Sequence, residues 1–300
     1  MKKILVIGGT GFIGFHIIKK AKTLNWKITS ISKKKPKIQR KHNNVNYKFA
    51  DMENFESLKK VTGEKYDYVV NAGGYGKHPD FNEEGEKLFF SHFLGVVNLV
   101  KILSKKSIKK FVQIGSSAEY GKVKSPQKET DKCFPKTPYA IAKYSCSNFL
   151  QAIFNLQKFP VTILRIFLVY GPKQDDNRIL PNVIKKCLNN KKFSLTKGHQ
   201  IVDFCYIDDL VDAIFKTFLS KKTNGEIFNI GTGKPISIKK IVKLIHKMIN
   251  KGKPEFGKLK YKKETNKKVY PNISKAKKKL KWKSKVNLIT GLKNTIKFYQ

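Results

Sequence analysis

The chain has 300 residues, enough for one large domain or two smaller ones with an ample core. Its formal net charge is +42, but all except three of the 63 basic residues (Arg40, Arg165 and Arg178) are lysines, spread from Lys2 to Lys297. Nucleic-acid readers often cluster their charge and favour arginine, so this composition argues against a nucleic-acid partner and suits a small ligand carrying a diphosphate.

Lys3-Ile4-Leu5-Val6-Ile7 is a short apolar run that predicts a buried parallel strand, too short for the core of a signal peptide. Gly8-Gly9-Thr10-Gly11-Phe12-Ile13-Gly14 follows at once, and a helical pattern runs from Phe12 to about Leu24. Strand, glycine turn and helix in that order let the backbone approach a pyrophosphate at a helix N-terminus. Lys27 to Ile31 reads as the second strand, Val45 to Phe49 as the third and Tyr66 to Asn71 as the fourth. A long helix is expected from about Glu83 to Ser104, then a strand at Lys110 to Ile114 that runs into Gly115-Ser116-Ser117. The helix carrying Tyr139 ends before Phe159-Pro160, and Val161 to Ile166 is the next strand.

This alternation predicts an α/β fold, a doubly wound parallel sheet with ligands at the carboxyl ends of its strands. Gly8, Gly73, Ser116 and Tyr170 all follow predicted strands and should line one crevice. Cys133, Cys146, Cys187 and Cys205 lie far apart, which argues against a metal site or a disulfide framework and fits a reducing cytoplasm. No segment is long enough to span a membrane.

Tyr139 and Lys143 are four residues apart, so a helix stacks phenol and ammonium on one face. A phenol beside an ammonium is a candidate proton donor to a carbonyl and acceptor from a hydroxyl. Together with the glycine turn and the serines after the strand at Lys110, this pair resembles the extended short-chain dehydrogenase/reductase family of the NAD-dependent epimerase/dehydratase type. The likeness covers nearly the whole chain, and members of that family mostly act on nucleotide sugars.

The resemblance implies a Rossmann domain over 1–170 and a smaller C-terminal substrate-binding region over 171–300, with segments at about 201–231 returning to the first domain. It makes Ser116, Tyr139 and Lys143 the catalytic set, with Ser117 as the alternative hydroxyl. For the cofactor it implies Gly8, Thr10, Gly11, Phe12, Ile13 and Gly14 in the turn, Ser32 and Lys33 after the second strand, and Asp51 and Met52 after the third. Asn71, Ala72 and Gly73 would stand beside the pyrophosphate and nicotinamide ribose, with Tyr139 and Lys143 at the nicotinamide end. NAD-using relatives usually place an aspartate where Ser32 stands. A small hydroxyl followed by Lys33 suits a ribose 2′-phosphate, so NADP is expected over NAD.

On the substrate side, Val202 replaces an arginine that grips the nucleotide diphosphate in relatives. Leu168 and His92 stand at common asparagine positions. Arg178, Asn182 and Lys268 are candidate replacements, Tyr75 and His78 lie near the expected sugar site, and Arg165 reads as structural. The related 4,6-dehydratases carry an Asp-Glu pair where Ser117 and Ala118 stand here, which argues against dehydration.

The leading expectation is an NADPH-dependent reductase of a nucleotide-linked 4-keto-6-deoxyhexose, cytoplasmic and homodimeric. The alternatives are a nucleotide-sugar 4-epimerase with tightly bound NAD and, from another class, a non-catalytic dinucleotide- or RNA-binding protein on the same fold.

Overall fold

The computed structural model describes residues 1–74, 79–104, 107–261 and 267–300. Six parallel strands, β1 (Lys3–Ile7), β2 (Lys27–Ser32), β3 (Asn46–Phe49), β4 (Tyr68–Asn71), β5 (Lys110–Ser116) and β6 (Val161–Ile166), are joined at the β6 edge by a seventh, Ile227–Ile230. Their spatial order is Ile227–Ile230, β6, β5, β4, β1, β2, β3. The order reverses at β1, which lies between β2 and β4, and this switch opens a crevice at the carboxyl ends of the strands.

Both faces of the sheet are covered, and β1 shows how. Ile4 and Val6 pack into one apolar cluster, and Leu5 and Ile7 pack into another on the opposite face. The side-chain period of two therefore demands apolar residues at every position, which is why the run is continuous. Helices α1 (Phe12–Thr23) and α6 (Ile207–Thr217) cover the first face. Helices α2 (Phe55–Val61), α3 (Glu86–Leu103) and α4 (Pro138–Gln157) cover the second.

β2, β3 and β4 shift by one or two residues from their expected bounds, and three larger departures bear on the site. Helix α2 was not foreseen; the Asn54 side chain starts it by accepting from the Ser57 amide at 2.8 Å. Helix α3 begins at Glu86 after a π-helical turn over Phe81–Gly85, where a Cβ on Gly85 would lie 2.7 Å from the Asp80 carbonyl oxygen. Strand β5 continues to Ser116, so the serine itself ends the strand.

Past β6 the chain builds short pairings. Leu168–Tyr170 lies parallel to Phe204–Tyr206, and Lys192–Leu195 lies parallel to Lys253–Phe256. Ile201–Val202 sits between Ile236–Ser237 and Lys268–Val269. Helix α5 (Ile179–Leu188) packs on α7 (Ile238–Ile249) and on the last helix, Leu288–Tyr299.

Candidate active site

The glycine turn is held by contacts that no side chain could replace. Gly8 has φ +75°, and a Cβ there would lie 2.7 Å from the Gly73 backbone. A Cβ on Gly14 would lie 2.3 Å from the Gly8 carbonyl oxygen, so the start of α1 closes directly onto the end of β1. Gly11 caps α1 with no side-chain hydrogen bond, and the first turn carries no acidic residue. The opening amides of a 12-residue helix therefore face the turn without a side-chain acceptor, a setting that fits a pyrophosphate. The side chains of Phe12 and Ile13 pack back onto the core, so any contact they make with a phosphate is through the backbone.

From this turn a cleft of about 750 Å³ runs over the carboxyl ends of β1, β2 and β4. Gly8, Thr10, Gly11, Ala72 and Gly73 line it, as do Ser32, Lys33, Asp51 and Met52. The volume and the glycine-lined wall fit a dinucleotide. Ser32 is turned inward, accepting the Thr10 amide at 3.3 Å, and it is 9% exposed. Lys33 bonds the Asp51 carboxylate, and the Glu53 amide donates to the same group at 3.2 Å. Partial burial works to raise the Asp51 pKa, but these two donors outweigh it and hold the carboxyl below its ordinary range. Lys33, the cation that suits a 2′-phosphate, thus already faces an anion, while Lys34 also lines the cleft.

Asn71 does not line the cleft. Its buried side chain accepts the Gly73 amide at 3.1 Å and donates to Gln113 Oε1 at 2.9 Å, which fixes the loop after β4 from beneath.

Ser116 ends β5 and starts a tight turn over Ser117–Tyr120. Its hydroxyl accepts the Ala118 amide at 3.1 Å, and its own amide donates to Glu119 Oε1 at 2.8 Å. Glu119 is fully buried, and its other oxygen accepts from Arg165 Nε and Ser147 Oγ, both at 2.8 Å. Helix α4 is started by the Thr137 side chain and Pro138, so Tyr139 lies in its first turn and Lys143 one turn on. Lys143 is buried; its Nζ donates to the Ile114 carbonyl at 3.0 Å and stands 5.9 Å from the Tyr139 ring centroid. His92, on α3, meets the Tyr139 ring edge-to-face at 5.4 Å.

The substrate-side candidates do not gather at one place. Tyr75 and His78 lie outside the described residues. Ser117 is half-buried beside Ser116, and Arg178 is an exposed residue at the cleft rim. Asn182 is half-buried on α5 and is not among the cleft residues. Lys268 is exposed on the strand beside Ile201–Val202, and its carbonyl accepts from Ser125 Oγ. Val202 is buried in the core, while the next residue, Asp203, accepts from Thr232 and Lys234 and fixes that loop. Tyr170 is not in the crevice. It is 1% exposed, with its hydroxyl 3.4 Å from the Leu288 carbonyl, because its short strand leaves the main sheet to pair with Phe204–Tyr206.

Glu84, Lys87, Leu88 and Ser91 form a cleft wall that the sequence reading missed. Lys87, Leu88 and Ser91 fall on one face of α3, with Glu84 on the π-helical turn just before it, and their three- and four-residue spacing is the signal that could have found them.

The sequence matches the NAD dependent epimerase/dehydratase family over residues 4–231. It is 30% identical to the dTDP-D-glucose 4,6-dehydratase of Homo sapiens over 320 residues, covering 100% of this chain and 90% of that one. The fold superposes on the UDP-glucose 4-epimerase of Thermotoga maritima, solved with UDP-glucose, with a TM-score of 0.92 and 27% identity over 99% of this chain and 98% of that one. It also superposes on the UDP-glucuronic acid 4-epimerase of Bacillus cereus, solved with UDP-glucuronic acid and NAD, with a TM-score of 0.90 and 25% identity, covering 99% and 98%. Among the described residues no helix is long and apolar enough to cross a membrane.

Proposed function

Because this chain belongs to the NAD-dependent epimerase/dehydratase family, we propose that it is a 4-epimerase of a nucleoside-diphosphate sugar that carries NAD throughout its cycle. The observation that carries this reading is the Glu119–Arg165 pair behind Ser116-Ser117-Ala118. Two uncharged residues follow the catalytic serine. The carboxylate next in line is buried and taken up by Arg165, Ser147 and the Ser116 amide, so it cannot serve an elimination. Oxidation and re-reduction at one carbon need only Ser116, Tyr139 and Lys143. The NAD held by the similar UDP-glucuronic acid 4-epimerase supports NAD here, and with it a cofactor that is restored each cycle over one consumed by a reductase.

NAD, when bound, would supply the hydride acceptor for oxidation and the hydride donor for re-reduction. Tyr139 takes the proton of the C4 hydroxyl as the carbonyl forms and gives it back when the opposite epimer closes. Ser116 donates a hydrogen bond to the same oxygen. Lys143 keeps a positive charge beside the phenol and holds the nicotinamide ribose. Arg178, exposed at the cleft rim, is the candidate to meet the anionic groups in the role of the arginine that Val202 replaces.

The test is the dinucleotide content of the purified protein, read by mass spectrometry after denaturation, together with product analysis on UDP-glucose and UDP-glucuronic acid. Resident NAD and C4 epimers without added cofactor are expected. An empty protein that oxidises NADPH with a keto-sugar would restore the reductase reading, and a 4-keto-6-deoxy product would show dehydration.

A further inference from the structure

We propose that His92 is the positioning residue for the Tyr139 phenol, an inference that rests on the oxidation–reduction reading of this site. Tyr139 lies in the first turn of α4. A helical side chain leans toward the N-terminus, and at this position no preceding turn of the same helix exists to hold the ring. Lateral support must come from another element, and α3 supplies it.

The His92 ring is 5% exposed and meets the phenol ring at a 78° interplanar angle with centroids 5.4 Å apart. Gly74 packs against the same ring: a Cβ there would lie 2.0 Å from His92 Cε1 and 2.5 Å from Nδ1. Gly74 has φ +130° and lines the dinucleotide cleft, as do Leu88 and Ser91 on the turn of α3 that carries His92. The imidazole thus touches both the cleft wall and the phenol. Its backbone is fixed as well, because the His92 carbonyl accepts from Cys146 Sγ at 3.5 Å, two turns along α4 from Tyr139. An asparagine, the common residue at this place in the family pattern, has no ring to present to the phenol. Here the imidazole ring sets the direction in which Tyr139 aims its hydroxyl.

The test compares His92→Ala and His92→Phe in the full chain. His92→Ala should lower kcat by about tenfold or more through misplacement of the phenol, with KM and the dinucleotide content little changed. His92→Phe, which restores an edge-to-face ring without its nitrogens, should recover most of that rate. In protein labelled with 3-fluorotyrosine, the fluorine line lost in Tyr139→Phe identifies residue 139. It should shift or broaden in His92→Ala and return toward its wild-type position in His92→Phe. A wild-type kcat and an unmoved fluorine line in His92→Ala would overturn the proposal, as would a His92→Phe variant as slow as His92→Ala. If wild-type protein turned over no nucleotide sugar, the reaction reading would fail, and the fluorine line would still decide whether His92 sets the phenol.

Discussion

Glu119 and Arg165 form an ion pair at 2.8 Å with side chains 0% and 3% exposed, and the same carboxylate holds the amide of Ser116. Burial works against the Arg165 charge, but Glu119 outweighs it and pushes the guanidinium pKa up. Removing one partner strands the other in a dry interior. Glu119→Ala should therefore cost ~3–5 kcal/mol, read as a fall in the urea midpoint. The double variant Glu119→Ala/Arg165→Met should recover part of that loss, since it leaves no charge unpaired. If the double variant is as unstable as the sum of the singles, the two residues are not coupled.

A second relationship joins the cofactor loop to the catalytic lysine. The Gly73 amide donates to Asn71, Asn71 donates to Gln113, and Gln113 Nε2 donates to the Ile114 carbonyl at 3.2 Å, where Lys143 also donates. Gln113→Leu breaks this line and leaves the Asn71 amide unsatisfied. A loss of ~1–3 kcal/mol is expected, together with weaker retention of dinucleotide. Unfolding by urea and the bound NAD per chain check the two effects separately.

Tyr139→Phe removes the proton-transferring hydroxyl and keeps the ring that His92 touches. Turnover should drop by ~10²–10⁴-fold while NAD remains bound. Lys143→Met should lower both turnover and NAD content, because its ammonium serves the phenol and the ribose together. A Tyr139→Phe protein with normal turnover would remove the phenol from the reaction.

The parts legible in the sequence are those where one local rule decides. β1, β5 and β6 are buried on both faces, so each is a continuous apolar-rich run that can hardly be misread. The glycine turn announces itself because no other residue fits between Gly8 and Gly73. What the sequence hid is set by pairings across the sheet. Lys33 and Asp51 are 18 residues apart and meet only because β2 and β3 lie in parallel register, with Ser32 opposite Phe49. Read alone, Lys33 looked like a free cation for a 2′-phosphate. Glu119 met Arg165 in the same way, through the register that sets Gly115 against Arg165. Tyr170 was misplaced because two residues after β6 the chain pairs with a strand outside the main sheet, which no local pattern signals.

His16 gives the fold an acid-sensitive point apart from the reaction. It lies on α1, 5% exposed, with Nε2 3.0 Å from the Pro172 carbonyl and Nδ1 3.9 Å from an Asp208 carboxylate oxygen. Burial lowers its pKa to about 4, with Lys19 and His42 adding to the effect and Pro172 and Asp208 opposing it. Unfolding returns it to about 6.5. Between these values the unfolded chain binds the proton more readily, so stability is intact above pH ~6.5 and falls as the pH drops toward 4. At pH 5 the loss is ~2 kcal/mol from this group alone. His16→Asn keeps a donor near Pro172 and removes the titration. The drop in urea midpoint between pH 7 and pH 5 should therefore be smaller in His16→Asn than in wild type. An equal drop in both proteins would place the acid sensitivity elsewhere.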